Sequence, residues 1–89
     1  MKNQLNILRK QIDKLDDSLL KILAKRIDVV NKIGQEKKIL NLPALDKGRF
    51  REVLTSRINK GKKMGLNKKF VEKIYKTIHK EALKIESLI

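Results

Sequence analysis

Residues 4–40 read QLNILRKQIDKLDDSLLKILAKRIDVVNKIGQEKKIL, and this stretch decides the fold. Its apolar residues recur at alternating steps of three and four, and no glycine or proline interrupts the pattern before Gly34. This period is typical of an α-helix with one apolar face. We therefore predict one long helix over residues 4–40, with an apolar stripe formed by Leu5, Leu8, Ile12, Leu15, Leu19, Ile22, Val29 and Ile33.

The predicted helix is too long to be covered by its own chain. A helix over residues 4–40 spans about 55 Å. A compact domain of 89 residues is only about 30 Å across. The uncovered stripe requires a second copy, so we predict an intertwined homodimer with the long helices side by side.

Two further helices are predicted after the first. Pro43 stops the first helix, and Asp46 has the position of an N-cap for a second helix that ends near Gly61. Asn67 is the predicted cap of a third helix, in which apolar residues again step by three and four up to the C-terminus. No stretch alternates with the period of a strand. We predict an all-α protein of three helices that forms a single domain over residues 1–89.

The net charge raises the possibility of a nucleic-acid-binding protein. The chain has 23 basic and 10 acidic residues, which gives a net charge of +13. The lysines are spread along the whole chain, and only Phe50, Phe70 and Tyr75 are available for base stacking. We therefore keep a basic helical dimer that binds nucleic acid as an alternative only.

Composition also bounds the compartment and the cofactors. The chain has no cysteine and one histidine, so we expect neither a disulfide nor a metal site. No apolar run reaches the roughly 18 to 20 residues of a membrane span, and the first residues lack the apolar segment of a signal peptide. We expect a cytoplasmic protein that does not enter a membrane.

Charged residues interrupt the apolar faces and indicate a binding site. Arg26 takes a core position of the stripe between Ile22 and Val29, where a guanidinium without an anion is costly. Lys37 follows 11 residues later, within about 20° of the same face. The alternative is that both side chains snorkel to water or pair with carboxylates. The core position of Arg26 favours a site.

The other helices add charges to the same region. Arg49 lies on the inner side of the second helix, and Glu86 lies one turn after Ala82 on the buried edge of the third. Arg9 is about 25 Å from Arg26 along the first helix and about 100° around it, so it can reach such a pocket only in a partner chain. The predicted cavity gathers four cations around one carboxyl group, and its predicted ligand is a small polyanion.

The order of these residues follows a known pattern. Residues 8–23 read LRKQIDKLDDSLLKIL, Arg26 follows, and residues 33–37 read IGQEK. The chain thereby resembles the all-helical chorismate mutase family, whose signature is L-R-x-x-I-D-x-I-D-x-x-L-L-x-L-L-x-x-R followed by I-G-x-x-K. The resemblance extends over essentially the whole chain through Pro43, Asp46, Arg49, Gly65-Leu66 and Phe70-Val71-Glu72. It implies an intertwined three-helix homodimer, an isomerase that converts chorismate to prephenate in phenylalanine and tyrosine biosynthesis, and no cofactor.

The resemblance also implies a role for each site residue. The carboxylate-binding arginines of the family fall on Arg26, Arg49 and, from the partner chain, Arg9. The lysine that binds the ether oxygen of the substrate falls on Lys37, and the backbone of Asp46 is implied to hydrogen-bond the substrate.

Three positions depart from the best-studied bacterial pattern. Phe50 replaces a glutamate that contacts the substrate hydroxyl, Ala82 replaces a serine near a carboxylate, and Glu86 replaces a glutamine that donates to the ether oxygen. The catalytic residues implied are Lys37, Glu86 and Arg26. Because the hydroxyl position separates chorismate from isochorismate, Phe50 keeps an isochorismate pyruvate lyase as the alternative enzyme. His79 lies seven residues before Glu86 on the same side, which allows two interpretations, a residue that lines the pocket and a partly buried surface residue, and the second is favoured.

Overall fold

The computed structural model describes residues 2–89, with side chains from residue 3 onward, and over this range it contains three α-helices and no strand. The helices are α1 (Lys2–Ile39), α2 (Lys47–Lys63) and α3 (Lys68–Ser87). The predicted all-α class with three helices is confirmed. None of the helices in the described part of the chain has the length and apolarity needed to cross a bilayer.

Helix α1 ends in a Schellman motif immediately before the proline. Asn41 has a left-handed φ of 56°. The Leu42 N–H donates to the carbonyl oxygen of Lys37 at 2.8 Å, and the Asn41 N–H donates to that of Lys38 at 3.2 Å. These bonds satisfy carbonyl groups of the last helical turn. Pro43 follows and cannot continue a helix, so the predicted break after α1 is confirmed.

Helices α2 and α3 both begin at the predicted N-caps. The Asp46 carboxylate accepts a hydrogen bond from the backbone N–H of Arg49 at 3.0 Å. The side-chain oxygen of Asn67 accepts one from the backbone N–H of Phe70 at 3.1 Å. Each cap satisfies a donor that the first helical turn leaves free, which is why these short polar residues start the helices.

Helix α2 continues past Gly61, where the sequence predicted its end. The left-handed residue is Gly65, with a φ of 83°. Leu66 N–H donates to the carbonyl oxygen of Gly61 at 2.9 Å, and Gly65 N–H to that of Lys62 at 3.1 Å, so the Schellman motif closes after Lys63. Gly61 is instead a packing residue, because a Cβ there would lie 2.9 Å from a methyl carbon of Val71.

Helix α3 is the central element of the fold. It packs against α1 on one side and α2 on the other, whereas the backbones of α1 and α2 do not approach each other within the described residues. The apolar face predicted for α3 points inward, with Val71 and Ala82 buried. From α1 the buried residues are Val30 and Gly34, which are one turn apart.

The N-terminal half of α1 lies outside this packing. The molecule extends 59 Å along its longest axis and only 24 by 15 Å across. Every side chain from residue 3 to residue 22 is exposed. The first six stripe residues, Leu5, Leu8, Ile12, Leu15, Leu19 and Ile22, are 45 to 64% exposed. The prediction that the long helix cannot be covered by its own chain is confirmed, and the second copy stays a prediction.

The two glycines inside α2 provide a matched test of the α2–α3 contact. We expect Gly61→Ala to lower the free energy of unfolding by about 1 to 3 kcal/mol, because the new methyl group overpacks against Val71. Gly48→Ala should leave stability unchanged or raise it by up to about 1 kcal/mol, since its Cβ meets only a carboxylate oxygen of Asp46 at 3.6 Å. Urea unfolding at one protein concentration, followed by circular dichroism, measures both. Equal effects would contradict a packing role for Gly61.

Candidate functional site

A cavity of about 260 Å³ lies among the three helices. It is lined by the C-terminal half of α1, the α1–α2 loop, α2 and α3, and its volume is close to the lower end of the usual range for small-molecule sites, about 300 to 1,000 Å³. Seven of the eight predicted site residues line it: Arg26, Lys37, Asp46, Arg49, Phe50, Ala82 and Glu86. The eighth, Arg9, lies exposed on the N-terminal half of α1 and does not line the cavity of its own chain.

The cavity lining carries more cations than anions. Its cationic side chains are Arg26, Lys37, Arg49 and Arg57, and its carboxylates are Asp46 and Glu86. Four cations against two carboxylates leave two positive charges. Within the described residues, neither Arg26 nor Arg57 pairs with a carboxylate, and both are half-buried. The electrostatics therefore favour a ligand that carries two negative charges.

Lys37 and Glu86 form an ion pair in the cavity wall. Lys37 Nζ lies 2.7 Å from Glu86 Oε1 and donates a hydrogen bond to the carbonyl oxygen of Ala44 at 2.7 Å. The two side chains are only 22% and 11% exposed. Glu86 Oε1 is buried and, despite this short ion pair, has no donor in hydrogen-bond geometry among the described residues. The pair thus places an ammonium group and a carboxyl group within reach of the same ligand atom. Both residues also line a neighbouring cavity of about 230 Å³.

Gly34 makes this ion pair possible. A Cβ at Gly34 would lie 3.3 Å from the Cα of Glu86 and 2.5 Å from the terminal methyl of Ile89. Without that side chain, α3 approaches α1 closely enough for Glu86 to reach Lys37.

Among the cations that form ion pairs in the described part of the chain, Arg49 is the most exposed. Its side chain is 59% exposed and forms an ion pair at 2.8 Å with Glu52, which is 70% exposed. An exposed pair of this kind contributes only about 0 to 1 kcal/mol. The guanidinium can therefore exchange Glu52, which does not line the cavity, for a carboxylate of a ligand.

Phe50 and His79 form a stacked aromatic wall. Their ring centroids are 3.8 Å apart and the planes are inclined by 14°. Burial lowers the pKa of His79, and the positive charges of Lys37 and Arg26 lower it further against the opposing effect of Glu86. The sequence favoured a partly buried surface residue over a pocket residue at position 79, and in the structure the half-buried His79 lines the cavity.

Sequence reasoning missed Arg57 and Tyr75 as cavity residues. Arg57 follows Phe50 by seven residues on α2, and Tyr75 precedes Ala82 by seven residues on α3. Seven residues return to nearly the same helix face, so this spacing was the available signal. Besides Phe50 and Ala82, the apolar part of the lining includes Val30, Ile33, Ala44 and Val53. Over residues 2–89 no three histidine, cysteine, aspartate or glutamate side chains are grouped to ligate a metal ion.

Comparison with known proteins gives the family. The chorismate mutase type II family model matches residues 8–87. The chain belongs to this family. It is 31% identical over 84 residues to the T-protein of Enterobacter agglomerans, which covers 94% of this chain and 22% of that protein. It is 30% identical over 81 residues to the bifunctional chorismate mutase/prephenate dehydratase of Escherichia coli K12, covering 91% and 21% of the two chains.

A third relative is only somewhat longer than this chain. The 4-amino-4-deoxychorismate mutase of Streptomyces venezuelae is 30% identical over 87 residues, which covers 98% of this chain and 84% of that protein. The chain spans only about a fifth of the length of the first two relatives and most of the third.

The lowered pKa of His79 predicts how stability depends on pH. The ordinary value is 6.5, so near and below it the unfolded chain binds the proton more readily than the folded protein. Stability from the neutral imidazole is present above pH 6.5 and is lost as the pH falls through the lower pKa of the folded state. Between about pH 7.5 and 5.5, wild type should lose more free energy of unfolding than His79→Phe, which keeps a ring against Phe50 without a titrating group.

Urea unfolding of both proteins at the two pH values measures this difference. Carboxylate titration affects both chains alike, so the comparison isolates His79. An equal loss of unfolding free energy in wild type and variant would mean that the cavity does not lower the pKa of His79.

Proposed function

We propose that the protein is a chorismate mutase that rearranges chorismate to prephenate, and that this reaction serves phenylalanine and tyrosine synthesis in the cytoplasm. Membership of the family supports the reaction class. The observation that carries the proposal is one small cavity in which Arg26 and Arg49 lie beside the Lys37–Glu86 pair. Among the described residues Arg26 has no carboxylate partner, and Arg49 is paired only with the exposed Glu52. Chorismate has two carboxylates and an ether oxygen, and these groups match that set in number and charge.

The chemistry asks for restraint and electrostatics from the protein. The rearrangement is pericyclic: the carbon–oxygen bond of the ether breaks while a carbon–carbon bond forms, and neither a nucleophile nor a proton transfer is required. The protein has to hold the flexible dicarboxylate in its folded conformer, with the reacting carbons in contact. It also has to stabilise the negative charge that grows on the ether oxygen.

The cavity residues divide these tasks. Arg26 and Arg49 bind the carboxylates through paired N–H donors, and the apolar lining keeps water from the reacting carbons. The Lys37 ammonium, held by the carbonyl oxygen of Ala44, donates to the ether oxygen. Before the ligand binds, Glu86 is the ion partner of Lys37 at 2.7 Å. It becomes the second donor to the ether oxygen only once its carboxyl group has taken up a proton, because an ionised carboxylate repels the developing charge. The backbone at Asp46, where the N-cap turn is fixed, adds a further contact.

A homodimer completes the site in this proposal. The exposed stripe on the N-terminal half of α1 is a continuous apolar face of a length that a second α1 would cover. Arg9 lies on that half of the helix and is exposed. Side-by-side α1 helices from two chains bring the partner chain's Arg9 to the cavity, where it binds a substrate carboxylate.

Three other functions are alternatives to the mutase. Phe50 offers no hydrogen bond to a ring hydroxyl, which supports isochorismate pyruvate lyase as the second candidate. The name of the Streptomyces venezuelae relative points to a substrate with an amino group in place of that hydroxyl. The net charge of +13 supports a nucleic-acid-binding dimer, which predicts a steep salt dependence of DNA binding and no turnover.

Turnover of purified protein distinguishes these functions. Chorismate, isochorismate and 4-amino-4-deoxychorismate are offered separately, and loss of the enolpyruvyl absorbance and the products are followed. We expect prephenate from chorismate as the fastest reaction. Release of pyruvate from isochorismate, without prephenate from chorismate, would establish the lyase instead.

Arg26→Ala tests the cavity itself. We expect kcat/KM for chorismate to fall by at least about 100-fold, which corresponds to about 3 kcal/mol of transition-state stabilisation. The reason is that the substitution removes a half-buried guanidinium that binds a substrate carboxylate. Circular dichroism should show an intact fold. Arg51→Ala is the control, since Arg51 is exposed on the same α2 helix as Arg49 but outside the cavity, and activity should stay within about twofold. Near-normal activity of Arg26→Ala would place the site elsewhere.

Mixing inactive variants tests whether Arg9 acts across the dimer. A heterodimer of Arg9→Ala and Arg26→Ala chains contains one cavity with both arginines intact. After random subunit exchange, half of the dimers are mixed and each has one working site, so activity should recover to about a quarter of wild type.

The matched control mixes Arg26→Ala with Lys37→Ala, whose two altered residues lie in the cavity of one chain. No mixed dimer then holds an intact site, and activity should stay absent. Native mass spectrometry verifies the exchange. Inactivity of the first mixture after complete exchange would show that Arg9 does not serve the partner's cavity.

A further inference from the structure

We propose that His79 is a specificity residue that makes the side-chain hydrogen bond to the ring hydroxyl of the substrate. The inference rests on the proposed function and deepens it. The arginines bind the substrate carboxylates and the Lys37–Glu86 pair binds the ether oxygen, and His79 is the residue that binds the remaining polar group, the ring hydroxyl. It also gives the Phe50–His79 stack a role that the family membership of the chain does not supply.

Few polar side chains of the cavity remain to bind the substrate hydroxyl once the others are assigned to the charged groups and the ether oxygen. The cations suit the two carboxylates and the ether oxygen of chorismate. The Asp46 carboxylate is engaged by the backbone N–H of Arg49, and that of Glu86 lies against Lys37. The uncharged hydrogen-bonding side chains that line the cavity are Tyr75 and His79.

The geometry of the stack prepares the imidazole for a ligand. Phe50 covers one face of the His79 ring at 3.8 Å and has no hydrogen-bonding atom of its own. Stacking fixes the plane of the imidazole and leaves the nitrogens on its edge. Among the described residues the imidazole exchanges no hydrogen bond with another protein group. A neutral imidazole offers one donor and one acceptor, which is also what a hydroxyl group offers.

The position of His79 favours it over Tyr75. In chorismate the hydroxyl and the ether oxygen are on neighbouring ring carbons, so the group that binds the hydroxyl has to lie near Lys37 and Glu86. His79 is seven residues from Glu86 on α3 and Tyr75 is eleven residues from it. His79 lines the same cavity as Glu86, Lys37 and Arg26, and the charges of these three residues act on its imidazole. Burial and the two cations lower the pKa of His79, and this keeps the ring neutral near pH 7.

Two substrates and three variants test the assignment. The substrates are chorismate and the analogue in which hydrogen replaces the ring hydroxyl. His79→Phe keeps a ring against Phe50 but removes the hydrogen bond, His79→Gln keeps a neutral donor, and Tyr75→Phe removes the competing hydroxyl. The readout is the ratio of kcat/KM for the two substrates, which a loss of structure alone does not change.

We expect His79→Phe to lower kcat/KM for chorismate about 10- to 100-fold and to change that of the analogue by less than about threefold. His79→Gln should recover part of the preference. An equal loss on both substrates would make His79 a structural residue, and a preference that disappears in Tyr75→Phe but persists in His79→Phe would assign the hydroxyl to Tyr75. Either result overturns the proposal.

Failure of the proposed function is a separate outcome. If wild type rearranges neither compound, it is not a mutase for them, and the same two compounds then serve as ligands in calorimetry. A wild-type preference for chorismate in binding that is absent in His79→Phe would still support the contact. The same ratio of dissociation constants in both proteins would refute it.

Discussion

Two glycines, one on each neighbouring helix, set how closely α3 approaches the rest of the molecule. Gly34 of α1 lies against Glu86, and Gly61 of α2 lies against Val71, so a methyl group at either position would push α3 outward. These contacts lie near opposite ends of α3, and α3 is the helix that packs against both α1 and α2. The cavity is the space left between helices held at these two points. Its dimensions, and the reach of Glu86 to Lys37, therefore depend on residues that have no side chain.

The charged residues of the cavity are partly buried, whereas most of the charge of the whole chain is exposed to water. The chain carries +13, mostly from lysines on exposed helix faces, where water and salt screen them. The cavity carries only two more cations than carboxylates, but Arg26, Arg57 and Lys37 are partly buried there. Coulomb interactions are stronger where water is excluded, so these few charges select the ligand. The surface lysines contribute at most a general attraction for anions.

Periodicity and capping chemistry were sufficient to predict the elements of the fold. Asp46, Asn67 and Pro43 act locally, through hydrogen bonds or a missing donor within one turn, and the structure has each where the sequence predicted it. The end of α2 was predicted too early, because a glycine that packs and a glycine that ends a helix look the same in a sequence. Gly65 ends the helix through its positive φ, and Gly61 packs.

The site was predictable only as far as single helices allow. Arg26, Lys37 and Glu86 each stand out because a charge interrupts an apolar face, and the structure brings them to one cavity. Arg57, Tyr75 and His79 each lie seven residues from a predicted site residue and so share its helix face. How far the cavity extends along α2 and α3 depends on how the helices meet, and periodicity within one helix does not contain that information. In α1 likewise, the buried residues are Val30 and Gly34, which lie beside Val29 and Ile33 of the predicted stripe. The predicted stripe and the intramolecular contact are different faces of one helix.

On the proposed mechanism, the two kinds of charged group in the cavity act on different steps. The substrate carboxylates keep their charge from the bound state to the transition state, so arginines that bind them stabilise both states and raise the rate through the conformation they impose. The ether oxygen gains charge only as its bond to carbon breaks. A donor on that oxygen therefore stabilises the transition state selectively. Lys37 meets this requirement because Ala44 holds its ammonium group in place and Glu86 lies beside it before any ligand arrives. The donor is oriented in advance, so little reorganisation is needed when the charge develops, and it is the geometry of α1, the loop and α3 that supplies this orientation.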